Sequence, residues 1–93
     1  MRLKNYNKFK DYETWNLDAT FARFMLPRII RYTEISDGYP CCYESRKKWE
    51  DILDEMIDCL TTYLDENAKV KIQEKKMNKF LKLFQENFQK LWW

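Results

Sequence analysis

Residues 45–64 read SRKKWEDILDEMIDCLTTYL. Within this stretch Trp49, Ile52, Leu53, Met56, Ile57, Leu60 and Leu64 recur at the steps that line one face of an α-helix. Glu50, Asp51, Asp54, Glu55 and Asp58 stand between them. The spacing predicts a single helix with one oily stripe and one acidic stripe, opened by Ser45 as its N-cap. An apolar stripe this wide must pack on something. Carboxylates this dense meet solvent, a metal or a basic partner.

Working outward, Leu17, Phe21, Phe24, Met25, Ile29 and Tyr32 predict an upstream helix capped by Asn16. Asp18 falls in its first turn, where the positive end of the helix dipole favours a carboxylate. Pro27 interrupts this segment: a proline within a helix lacks the amide proton and crowds the carbonyl four residues back, at a cost of about 3 kcal/mol. The segment is therefore expected to kink or to split in two. Between these helices, Ser36 to Tyr43 reads SDGYPCCY and contains the only glycine and the second proline, a strong loop signal in which Gly38 is the natural site for a positive φ. Downstream, Asp65, Glu66 and Asn67 predict a short turn. Val70, Met77, Leu81, Phe84, Phe88 and Leu91 then predict a helix whose seam grips another helix. Residues 1–12 are lysine-rich, with Leu3, Tyr6 and Phe9 every third residue, and read as an N-terminal arm, leaving 13–93 as one helical domain. Alternating runs of Val, Ile and Thr are missing. The expected class is all-α: a compact three-helix bundle, or a four-helix bundle if the Pro27 segment splits.

A chain of 93 residues buries roughly 60–68% of its unfolded surface, enough for one modest core. Four Trp, six Tyr and six Phe supply more ring surface than a small monomer easily hides, so a partner or a homo-oligomer is expected to cover part of it. Seventeen Lys and Arg against fifteen Asp and Glu leave +2, which argues against general nucleic-acid or membrane-surface binding. Basic clusters alternate with the acidic stretch from Glu50 to Glu66, a pattern that favours packing between helices of unlike charge. Three cysteines, an odd number, and an N-terminus without a long apolar run suit a reducing, cytoplasmic setting. No apolar stretch approaches the length of a membrane span.

With no histidine, neither a Ser-His-Asp nor a Cys-His arrangement can be built. Zinc would depend on three cysteines and carboxylates, and adjacent Cys41 and Cys42 diverge. A single glycine leaves no phosphate-cradling loop. No cofactor is expected. Asp51, Asp54, Glu55 and Asp58 lie along one side of their helix, where a hard cation such as Mg²⁺ could be held. They resemble half of the paired acidic motif of all-α nucleoside-triphosphate pyrophosphohydrolases, but no second helix offers Glu-x-x-Glu. A solvated charged face is the plainer reading. Arg28 and Arg31 flank Ile29 and Ile30, with Arg23 two turns earlier, and guanidinium groups suit planar or phosphate ligands. Pairing with the acidic helix is their plainer use. Trp15, Trp92 and Trp93 can stack on a ligand or close the ends of a core. Cys59, among Ile57, Leu60 and Tyr63, reads as a buried thiol acting as a small hydrophobe, not a redox group.

Thr14-Trp15-Asn16-Leu17-Asp18, Pro27-Arg28, Gly38-Tyr39-Pro40, Trp49 to Ile57 and the Leu-Phe and Leu-Trp rhythm of Phe84 to Trp92 together resemble a group of small proteins encoded by tailed bacteriophages. The likeness spans about residues 12 to 93; the chain departs from it at Lys79 to Phe84, where the group's pattern has a glycine. The resemblance implies a viral accessory protein acting in the host cytoplasm and brings no catalytic residues with it. The expected function is thus non-enzymatic binding of a host protein or a small anionic, nucleotide-like ligand, with interference in host defence as one setting. For such an anion, Arg28, Arg31 and Lys48 are the expected cations, and Trp15 and Tyr39 the stacking rings. Two other readings belong to different classes. One is a Mg²⁺-dependent nucleotide hydrolase built on Asp51, Asp54, Glu55 and Asp58 and completed across an oligomer interface. The other is a structural component of the virion.

Overall fold

The fold comes from a computed structural model that describes residues 9–92. Most of the expected arm, residues 1–8, and the Trp93 ring lie outside the described residues. Among those described there are three α-helices and no strand: α1 (Leu17–Ile35), α2 (Arg46–Tyr63) and α3 (Val70–Asn87). Short 3₁₀ turns precede α1 (Asp11–Thr14) and follow α3 (Phe88–Lys90). The all-α three-helix bundle expected from the spacing is the fold observed.

Helix α2 follows its pattern closely. The Ser45 hydroxyl accepts the Lys48 amide at 3.2 Å, satisfying one of the unpaired donors of the first turn. Trp49, Leu53, Met56, Cys59 and Leu60 are buried, and Ile52, Ile57 and Leu64 pack against them. The acidic stripe turns outward, but it is not simply solvated. Lys76 and Lys79 of α3 pair with Asp58, at 2.7 Å, and with Glu55, and Lys47 pairs with Asp51 at 3.1 Å. Helices of unlike charge do pack together, although the cations come from α3 and not from the arginines of α1. Arg31 instead pairs with Glu34 on its own helix at 3.1 Å.

Pro27 does not split α1, which runs unbroken from Leu17 to Ile35, so the fourth helix does not arise. Arg28 Nη1 donates to the Phe24 carbonyl at 2.8 Å, beside the Arg23 carbonyl that Pro27 cannot serve, and the guanidinium covers the Phe24 ring at 3.6 Å. Asn16 precedes the helix without a side-chain cap, its carbonyl accepting the Thr20 amide at 2.9 Å. Gly38 does not adopt the left-handed backbone expected of it, and the space around its α-carbon is open. The loop turns through Pro40 instead, whose carbonyl accepts the Tyr43 amide at 3.0 Å.

The largest departure is the register of α3. Of the expected seam, Met77, Phe84 and Leu91 pack against the core, whereas Val70, Leu81 and Phe88 are exposed. The buried edge runs through Gln73, Met77, Phe80, Phe84 and Asn87, with Phe80 and Asn87 fully enclosed. Phe80 stacks on Phe84 at 5.3 Å between centroids, and Phe21 of α1 meets both edge-on. Polar residues hold two positions of this edge because each completes a hydrogen-bond network. Gln73 donates to the carbonyls of Tyr63 and Asp65, at 3.3 and 2.8 Å, closing the end of α2. Asn87 donates to the Leu83 carbonyl at 2.9 Å and accepts the Tyr43 hydroxyl.

At the opposite end of the bundle the Tyr63 hydroxyl donates to the Asp18 carboxylate, tying α2 to the first turn of α1. This bond, with the Ala19 amide, holds the Asp18 carboxyl below its ordinary 3.8. A carboxyl with a depressed folded pKa stabilises the fold above its unfolded value, and that contribution disappears as the pH falls through the lower folded value. The stability difference between wild type and Tyr63→Phe should therefore be present at neutral pH and shrink below about pH 4, read by urea unfolding across the acid range. A difference unchanged by acid would show that the ionised Asp18 plays no part. Because Asp18 is solvent-exposed, the effect is expected to be small.

Candidate functional site

The loop after α1 and the turn after α3 come together at one end of the bundle because α1 and α3 run in the same direction. The Tyr32 hydroxyl, near the end of α1, donates to the Trp92 carbonyl at 2.9 Å and fixes the two segments side by side. Between them lies a cleft of about 510 Å³, within the range of small-molecule sites. Tyr39, Pro40 and the exposed Cys41 and Cys42 line one wall, Gln89, Lys90 and Trp92 the other. Each wall has a structural reason. Arg46 Nη1 and Nη2 donate to the Asp37 and Ser36 carbonyls, at 2.8 and 3.3 Å, pinning the start of the loop to α2. Tyr43, whose ring stacks on buried Trp49 at 5.6 Å, anchors the loop's end.

The cleft is chiefly aromatic and apolar, with few charges. Lys90 Nζ donates to the Glu86 carbonyl at 3.2 Å and lies 5.1 Å from the Tyr43 ring centroid. Asp37 supplies a carboxylate to the lining. Burial pushes the Tyr32 phenol above its ordinary value, so it remains a neutral donor well past physiological pH. Trp49 Nε1, which belongs to a separate small cavity and not to this cleft, is a buried donor without a hydrogen-bond partner among the described residues. The cleft can hold a flat ring by stacking and offers one basic and one acidic residue, Lys90 and Asp37, in its lining.

Of the five residues expected to bind an anion, only Tyr39 lines this cleft. Trp15 lies at the far end of α1, whose 19 residues span about 28 Å. There it meets Tyr12 edge-on at 6.5 Å and lines a separate hollow with Arg23 and Phe24. Arg28 covers Phe24, Arg31 pairs with Glu34, and Lys48 sits exposed in the first turn of α2. The five do not converge. Asp51, Glu55 and Asp58 each bind a lysine, while Asp54 lines a small cavity of about 140 Å³ with Glu50, Arg46 and Trp49. No cluster of three or more metal-ligating side chains occurs among the described residues. Cys59 is buried, and its thiol is pushed up by that burial and by the nearby Glu55 carboxylate.

Lys90 was missed by sequence reasoning. Nothing local marks it, since it meets Tyr39 only through the tertiary fold across some fifty residues of chain. No helix among the described residues is long and apolar enough to cross a membrane. Comparison with protein-family models, curated proteins and solved structures finds no match to this chain.

Proposed function

We propose that the protein is a non-catalytic binding protein and that the cleft between the Tyr39 loop and the Trp92 turn is its recognition site. The ligand is a small anionic molecule with a flat ring, of nucleotide-like chemistry: the ring lies against Tyr39 and Trp92, and the anion is drawn to Lys90. The observation that carries this reading is a predominantly apolar, aromatic cleft of about 510 Å³ with Lys90, beside Asp37, among its lining residues. The resemblance to small phage proteins supports the setting, an accessory protein working in the host cytoplasm, where sequestering a signalling nucleotide would interfere with defence.

The test is thermal unfolding with a panel of nucleoside monophosphates and cyclic dinucleotides, since a ligand bound to the folded state alone raises Tm as its concentration passes Kd. Stacking on one ring contributes about 1–3 kcal/mol, so Tyr39→Ala should weaken a positive hit by about fivefold or more. Lys90→Ala should weaken it too and flatten its salt dependence, whereas Trp15→Ala should leave it unchanged. Tm unmoved by every compound, or a shift that survives Tyr39→Ala and Lys90→Ala together, would overturn the assignment.

A further inference from the structure

Helix α3 carries a wider apolar stripe than α2 can cover. Its lysines that pair with α2, Lys76 and Lys79, lie on one flank of the buried edge. Val70, Leu81 and Phe88 lie on the other flank, 67%, 46% and 61% exposed. Across from them α1 presents Leu17 and Phe24, 64% and 53% exposed, one turn to either side of Phe21. The two strips are joined at the floor: Phe21 meets Phe84 at 6.3 Å, and Phe84 meets Phe88 at 5.1 Å. Above that floor the helices stand apart, with no α1 Cα within 8 Å of an α3 Cα. The result is an open apolar groove between two parallel helices.

We propose that this groove is the interface of a two-fold homodimer, in which the Leu81 and Phe88 ridge of each protomer enters the groove of the other. Area supports a second copy as the occupant. At roughly 200 Å² per large side chain, the five exposed residues offer on the order of 500 Å² of apolar surface. A stable interface of standard size buries about 800 Å² per partner, of which about 56–65% is apolar; the groove supplies what one protomer of such a dimer needs. Charge supports it too. The exposed Glu74 borders the α3 strip and Arg28 the α1 strip, so the rim carries both signs and can serve as its own counterpart in an isologous pairing, whereas a rim of one sign would repel its copy.

Sedimentation equilibrium of the full chain at micromolar concentration should give twice the 11.6 kDa of one chain. Leu81→Lys and Phe88→Lys should each return the mass to that of a single chain with the helical circular dichroism unchanged. Ile30→Lys, on the side of α1 away from the groove, should leave the dimer intact. Should Leu81→Lys lose helical signal, Leu17→Lys on the opposite wall makes the same test. A wild-type protein with the mass of one chain, or a dimer that survives the groove substitutions, would overturn the proposal.

Discussion

Replacing Phe80 with alanine is expected to lower the free energy of unfolding by about 3–5 kcal/mol, the range for removing a fully buried aromatic ring. Phe80 is completely enclosed, stacks on Phe84 and takes the edge of Phe21, so its loss opens a void where all three helices meet. Domains of this size are stable by about 5–15 kcal/mol in total, and each kcal/mol lost lowers Tm by about 4–8 °C. A drop of more than about 12 °C should follow. Leu81→Ala, one residue along the same helix, is the informative control. If α3 has the register described, it should cost less than about 1 kcal/mol in urea unfolding at concentrations too low for association. Equal costs for the two substitutions would mean that the register is wrong.

Substituting Asn87 with leucine is expected to cost about 1–3 kcal/mol, even though leucine is the more apolar residue and the site is buried. Asn87 accepts the Tyr43 hydroxyl and donates to the Leu83 carbonyl; leucine would leave that hydroxyl without its partner beside the Tyr43–Trp49 stack. Tyr43→Phe in the same chain removes the stranded donor. The double variant should therefore be more stable than the sum of the two single losses predicts, with a coupling of about 1 kcal/mol by a double-mutant cycle. Strictly additive costs would show that the two groups do not act as a pair. Because Tyr43 also anchors the end of the loop that forms one wall of the cleft, Asn87→Leu should weaken any ligand held there.

Helix α2 was fully legible because its seven apolar positions and its cap obey one period and no buried polar residue interrupts them. Helix α3 was legible as a helix and in half of its inner edge, since Met77, Phe84 and Leu91 pack on the core as expected, but Val70, Leu81 and Phe88 are exposed and Phe80 takes the central place. Its sequence contains two overlapping apolar edges, one through Phe80 and one through Leu81, and Gln73 and Asn87 disguise the buried one. Only tertiary partners, the end of α2 for Gln73 and Tyr43 for Asn87, make those positions the inner ones. Pro27 left a kink or a split open from the sequence, and the unbroken α1 excludes the split. The cleft was visible in part through the Gly38-Tyr39-Pro40 loop. Its second wall comes from residues 89–92, which no local pattern connects to the loop. The cations were read from their clustering in sequence, yet Arg28 and Arg31 are used within α1 itself.

Nuclear Overhauser spectroscopy of the labelled protein reads the packing of α3 without any substitution. The account predicts contacts from the Phe80 ring to the Phe21 ring, and from the Asn87 side chain to the Tyr43 ring, within one chain. Intrachain contacts from Leu81 methyls to the α2 core, with Phe80 exposed to solvent, would contradict it.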